Sequence, residues 1–67
     1  MVKEVRTVAE LQEIYAQAGD KPIFIDFFAE WCGPCKMISP KFEEFANSHK
    51  DHAVFIKIDV DEAEELS

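Results

Sequence analysis

Basic residues are scarce in this sequence: seven Lys and Arg face fourteen Asp and Glu, for a formal charge of -7. A field of that sign repels phosphate backbones and anionic lipid, so nucleic acid and charged membrane surfaces are not expected partners. Long hydrophobic runs are also missing. The start, Met1-Val2-Lys3-Glu4-Val5-Arg6, has no apolar run behind it to act as a secretion signal, and no stretch approaches a bilayer span. Cysteine is limited to two residues. Without a secretion signal they are expected to be reduced, in the cytosol or nucleus. A Cys-x-x-Cys pair there serves redox or metal chemistry more often than a structural bridge. Repeats and low-complexity linkers are absent, and 67 residues make one domain at most, with marginal stability.

An apolar share of 48%, with six Phe, shows that a core is intended. Val2 to Arg6 is a weak strand, with Val2 and Val5 its apolar members. Thr7 followed by Glu10 forms a capping box for a helix start. Val8, Leu11, Ile14, Tyr15 and Ala18 then recur at helical spacing, and Gly19 stands where a left-handed cap closes the helix. Asp20-Lys21-Pro22 is a turn. Ile23-Phe24-Ile25-Asp26-Phe27-Phe28-Ala29 is too short for a buried helix, and its apolar residues on both faces predict a central strand covered on both sides.

Pro34 suits the first turn of a helix running to about Ser48. That helix is expected to bury Ile38, Phe42, Phe45 and Met37, with a kink at Pro40. Ala53 to Val60 reads as a further strand, Val54, Ile56, Ile58 and Val60 alternating with Phe55, Lys57 and Asp59. Strand, helix and strand in that order form a right-handed βαβ unit with parallel strands. Asp61 and Glu64 suit the start of another helix, of which only about two turns would precede Ser67, well short of what stands alone. On that ground the chain reads as cut off.

The pair Cys32-Gly33-Pro34-Cys35 follows a buried strand and opens a helix. Free amides and the helix dipole at that end stabilise a thiolate on the first cysteine, lowering its pKa from about 8.5 toward neutrality. Helical geometry sets the two Cα atoms roughly 5 Å apart, within reach of a disulfide. Cys32 can then attack a substrate disulfide and Cys35 can resolve the mixed disulfide. Asp26 interrupts the apolar strand before the dithiol. A carboxylate buried there is penalised in its charged form and can accept the proton that Cys35 gives up. Lys57 holds a comparable place in the neighbouring strand. Two plainer readings stay open: Asp26 faces water, or it simply pairs with Lys57.

Cys32, Cys35, His49 and His52 also have a superficial zinc-finger look. The two His are spaced more tightly than is usual for such sites, and a helix from Cys35 to His49 holds those residues about 21 Å apart. No metal site is therefore expected, and the His are read as solvated residues at a helix end. Trp31 suits either a core aromatic or a surface beside Cys32. The acidic residues from Asp59 to Glu65 are most simply a solvated helix start, and Lys36 either biases the thiolate or sits in water.

The run Phe27-Phe28-Ala29-Glu30-Trp31-Cys32-Gly33-Pro34-Cys35-Lys36 resembles the active-site segment of the thioredoxin family. Pro40 is similar to the proline that bends its active-site helix, and Ile56-Lys57-Ile58-Asp59-Val60-Asp61 looks like its central strand. The resemblance implies an α/β, thioredoxin-like βαβαβ(α) fold stopping before the C-terminal β-hairpin and last helix. It implies Cys32 as nucleophile, Cys35 as resolving thiol, Asp26 as the assisting carboxylate and Trp31 as the aromatic beside the site. Gly33-Pro34 is the dipeptide associated with reducing members. Disulfide-bearing proteins would be substrates and a thioredoxin reductase the electron donor, so no bound cofactor is implied. The family continues with a loop bearing a cis-proline, and Pro22, Pro34 and Pro40 are not that residue. Beside Ile23–Ala29 the missing hairpin would leave an open apolar edge, which invites partial disorder or a homodimer through that edge. A non-catalytic fragment that binds or complements another chain is the competing reading.

Overall fold

The computed structural model of the chain describes residues 2–66. Strand β1 (Lys3–Glu4), helix α1 (Val8–Ala18), strand β2 (Ile23–Phe28), helix α2 (Gly33–His49) and strand β3 (Val54–Asp59) follow in order, then a 3₁₀ turn at Glu64–Leu66. The three strands form one parallel sheet in the order β1-β3-β2. Six consecutive register pairs join β2 to β3, from Ile23↔Val54 to Phe28↔Asp59. The α/β class and the β2-α2-β3 crossover match the sequence expectation.

Alternation along β3 divides the core into two layers, because neighbouring residues on a strand face opposite ways. Ile56 and Ile58 point to one face, where Val5 and Ala63 join them and Leu11, Ile14, Ile23 and Ile25 pack alongside. Phe55 points to the other face, with Ala46, Ala53, Phe42 and Val2. Helix α1 therefore covers one face and α2 the other. Phe55 is the hub of the second layer. Its ring stacks on Phe24 at 5.3 Å and meets Phe42 and Phe45 edge-on, both at 5.7 Å.

Helix α1 starts at the expected Thr7–Glu10 pair, but the return bond from Glu10 reaches one residue further back than a capping box has it, to the residue before the cap. Thr7 Oγ1 accepts from the Glu10 amide at 3.1 Å, and Glu10 Oε1 accepts from the Arg6 amide at the same distance. That bond from Arg6 is the main reason the Glu10 carboxyl is held below its ordinary pKa. The helix ends differently from the expected left-handed cap. Gly19 has φ 61° and ψ -122°, and the Lys21 amide donates to the Ala18 carbonyl at 3.1 Å. Those values make a type II′ turn, whose first central position glycine fills without strain. Val8 and Tyr15, counted with the apolar face, are exposed, while Leu11, Ile14 and Ala18 face inward.

Four other expectations need correction. First, the local reading of β2 as a central strand is overturned, whereas the open edge and the central β3 that the resemblance implied are found: β2 is an edge strand, and Phe24 and Phe27 remain 44% and 50% exposed. The Pro22 and Phe28 carbonyls accept from Val54 and Val60 of the β3 segment, each at 2.9 Å. In a parallel ladder alternate residues bond to the same side, so Ile23, Ile25 and Phe27 turn their N–H and C=O groups to the open edge. Second, Met37, Ile38 and Phe45 on α2 are exposed, and Phe42 and Ala46 carry the helix's packing. Third, β3 is buried on both faces, Phe55 and Asp59 included, because it is the strand with a neighbour on each side. Fourth, the segment after β3 passes through a turn at 60–62 on its way to the short 3₁₀ element instead of opening a longer helix. The capping role expected of the Glu64 side chain and the end at Ser67 lie outside the described residues. Helix α2 runs unbroken through Pro40, with the Ser39 hydroxyl donating to the Cys35 carbonyl at 3.0 Å.

A chain of 67 residues has about 3–10 kcal/mol of stability in hand. Removing the hub, Phe55→Ala, is expected to cost about 4 kcal/mol and to leave little cooperative transition in urea. Phe45→Ala, at a half-exposed ring, is expected to cost about 1–2 kcal/mol. Equal losses from the two substitutions in urea melts would contradict the two-layer packing.

Candidate active site

The parallel pairing of β2 with β3 brings the loops at their carboxyl ends together, the usual place for a site in an open α/β sheet. The Val60 amide donates to the Phe28 carbonyl, tying one loop to the other. From Phe28 the chain passes through buried Ala29, and the Cys32 amide donates back to the Ala29 carbonyl at 3.1 Å. This tight turn delivers Cys32 to the N-cap of α2.

Cys32 has extended backbone angles, φ -87° and ψ 103°, as an N-cap residue needs. Its Sγ accepts from the Cys35 amide at 3.2 Å. Sulfur thus occupies the place that a Ser or Asp oxygen takes in an ordinary cap. Cys32 and Cys35 are joined as a disulfide, with Cα atoms 5.3 Å apart. Pro34 stands in the first helical turn, where a missing amide costs nothing, and that turn carries no acidic residue to oppose a thiolate. A Cβ at Gly33 would meet no atom within 4 Å. Glycine there is not demanded by packing and leaves the surface beside the sulfurs bare. Lys36, next to Cys35, is exposed.

Trp31 is 75% exposed, so it is a surface aromatic and not part of the core. Its indole Nε1–H donates to Asp61 Oδ2 at 2.6 Å. The Asp61 amide in turn donates to Asp59 Oδ1 at 2.9 Å. Neither aspartate was singled out for the site by the sequence, which read both as part of a solvated acidic stretch. Asp59 is in fact buried. Thirty residues separate Trp31 from Asp61, and the one available signal was that two parallel strands end side by side.

Asp26 is half-buried rather than fully buried. It is the register partner of Lys57 and shares the α2-covered face with Phe24, Phe28 and Phe55. The two do not form an ion pair: among the described residues the ion pairs all belong to Arg6, with Glu4 and Glu62. Lys57 Nζ instead lies over the Phe28 ring, 5.4 Å from its centroid. Asp26 therefore sits beneath the helix that carries the dithiol, with no ion pair to hold its carboxylate. His49 is at the far end of α2, stacked on Phe45 at 4.1 Å, with Nδ1 2.9 Å from the Phe45 carbonyl.

A dithiol at a helix N-cap on an open parallel sheet can be compared with known proteins. The thioredoxin family model matches residues 2–67. Thioredoxin-1 of Schizosaccharomyces pombe is 52% identical over 67 residues, which is all of this chain and 62% of that protein. Thioredoxin-2 of Saccharomyces cerevisiae is 46% identical over the same length, again 62% of the relative. Among solved structures, the thioredoxin of Fasciola hepatica superposes with a TM-score of 0.90 at 39% identity, over 96% of this chain and 61% of that one. That of Plasmodium falciparum gives 0.85 at 48% identity, over 97% and 61%. The chain spans about 62% of the length of the first two relatives, and over that span its sheet, its helix α2 and its dithiol place it in the thioredoxin family.

Proposed function

We propose that the chain carries out thiol–disulfide exchange, reducing protein disulfides through Cys32 and Cys35. The observation that carries this reading is the N-cap placement of Cys32, whose sulfur accepts the Cys35 amide. A backbone N–H and a helix N-terminus stabilise negative charge on sulfur, the form that attacks. Cys32 thiolate displaces one sulfur of the substrate disulfide, giving a mixed disulfide and a substrate thiolate. Cys35 then loses its proton and attacks Cys32 Sγ, which releases the second substrate thiol and forms the Cys32–Cys35 disulfide. Two electrons pass from the dithiol to the substrate. The half-buried Asp26 is the acceptor for the Cys35 proton, and its lack of an ion pair leaves the carboxylate free to take it. Lys57, its register partner, stands beside it on the next strand. Gly33 and Pro34 keep the approach to the sulfurs open, and Trp31 forms one side of it. A thioredoxin reductase, the family's electron donor, returns the dithiol to its reduced state in a reducing compartment such as the cytosol.

A second reading has its own observation. The β2 edge is open, apolar and unprotected by charge or proline at Ile23, Ile25 and Phe27, features that favour pairing with another strand. On this reading the chain pairs with a second copy or complements another chain, with or without turnover.

Reduction of a disulfide-bonded protein by the isolated chain, with dithiothreitol as electron source, tests the first reading. We expect Cys32→Ser to lose at least about 100-fold of the rate, as removal of a nucleophile does. Cys35→Ser is expected to accumulate a mixed disulfide visible by intact mass. Equal slow rates for wild type and Cys32→Ser would reject catalysis. For the second reading, sedimentation at increasing concentration is expected to show a dimer that Ile25→Pro abolishes, since that amide points away from β3. A sharp monomer with full cooperative unfolding, unchanged by the substitution, would reject pairing through this edge.

A further inference from the structure

The last residue of β3 carries a buried carboxylate that the exchange chemistry does not use. Asp59 is 6% exposed, the one charged side chain buried to that degree among the described residues. Burying a carboxylate is unfavourable unless hydrogen bonds compensate it, so what Asp59 bonds to defines its role. Its Oδ1 accepts the Asp61 amide at 2.9 Å, and its carbonyl accepts the Ala63 amide at 2.9 Å. The intervening Val60 amide is bonded to the Phe28 carbonyl. Three amides within four residues are thus fixed, and Asp61 is left with its carboxylate directed to the Trp31 indole.

Trp31 depends on that bond. The indole has one polar atom, a donor, and a ring 75% exposed has little packing to orient it. The direction of the ring is therefore set by the position of the Asp61 carboxylate. We propose that Asp59 is a positioning residue: by capping the Asp61 amide it holds Asp61 where it anchors Trp31, and so shapes the aromatic wall beside Cys32 against which a disulfide substrate docks. The docking part rests on the exchange reading above, whereas the orientation of the indole does not.

A second support for the same turn is the Arg6–Glu62 ion pair, with N···O 3.3 Å. Both side chains are more than half exposed. Solvent and salt screen such a pair strongly, so it adds little to a turn already fixed by the Asp59 carboxylate and two backbone bonds. This contrast makes the proposal selective, since a buried carboxylate matters and an exposed ion pair at the same turn does not.

The chain contains a single Trp, so its indole N–H gives one resolved resonance in a nitrogen–proton spectrum. Asp59→Ala is expected to shift that resonance and to raise the solvent exchange of the indole N–H about tenfold, as the loss of a buried hydrogen bond does. Asp59→Asn retains an oxygen acceptor and is expected to stay within about twofold of wild type. Arg6→Ala is expected to leave the signal in place. With a disulfide-closed peptide as probe, Asp59→Ala is expected to raise KM about tenfold with kcat nearly unchanged, the mark of lost docking rather than lost chemistry. A folded Asp59→Ala chain with the wild-type indole resonance and exchange would overturn the proposal. If Asp59→Ala does not fold, the wild-type chain decides: an indole N–H better protected from exchange than the Asp61 amide would overturn it, and equal or lesser protection supports it. Absence of turnover in every chain, wild type included, would reject the exchange reading and leave the indole result to stand by itself.

Discussion

The parallel ladder between β2 and β3 is the constraint on which the site depends. Six register pairs in sequence, closed at one end by Val54 on Pro22 and at the other by Val60 on Phe28, fix the two strand ends to within a hydrogen bond of each other. Because the strands are parallel, both carboxyl ends emerge on the same side of the sheet. One loop leads into α2 and sets Cys32 at its cap, and the other supplies Asp61 to the indole beside it. In this chain a slip of β2 by one residue would turn Phe24, Asp26 and Phe28 to the opposite layer and separate Trp31 from its partner. The aromatic hub at Phe55 and the aliphatic pair Ile56 and Ile58 oppose such a slip, because they fill different layers from adjacent positions.

Much of this was legible in the linear order of residues. The Thr7–Glu10 box, the apolar run at Ile23, the Pro34 helix start and the alternation after Ala53 each carry a local physical signal, and the elements lie within a few residues of where those signals put them. Local signals do not say which strand is central. Ile23-Phe24-Ile25 has the hydrophobicity of a strand covered on both faces, yet β3 takes the middle place, and the sheet leaves β2 with a neighbour on one side only. Met37, Ile38 and Phe45 were assigned to the core by the same reasoning and remain exposed, since the sheet presented to α2 is narrow. The dithiol was plain from Cys32 and Cys35 alone. The Asp59–Asp61–Trp31 connection was not, because it exists only once two distant strand ends are adjacent.

The exposed apolar groups have a pattern. Phe24 and Phe27 lie along the free β2 edge on opposite faces, and Phe24 meets Phe45 edge-on at 6.4 Å on the α2 side. Met37 and Ile38 continue the exposure toward the dithiol. Apolar surface around an unpaired strand is what a partner strand covers. The dithiol itself is held by bonds local to β2, the first turn of α2 and the turn after β3. The chemistry of the sulfurs and the completion of the sheet are thus separable questions, the first resting on the helix N-terminus and the second on the edge.

The helix N-terminus is the more fundamental of the two, because on the exchange reading it is what sets Cys32 apart from an ordinary thiol. Its state is read most directly from the pH dependence of alkylation of the reduced chain, with each cysteine followed by peptide mass. The account predicts that Cys32 reacts with a midpoint well below about 8.5, the ordinary thiol value, and that Cys35 reacts more slowly at every pH in that range. Midpoints near 8.5 at both cysteines, with equal rates, would contradict it.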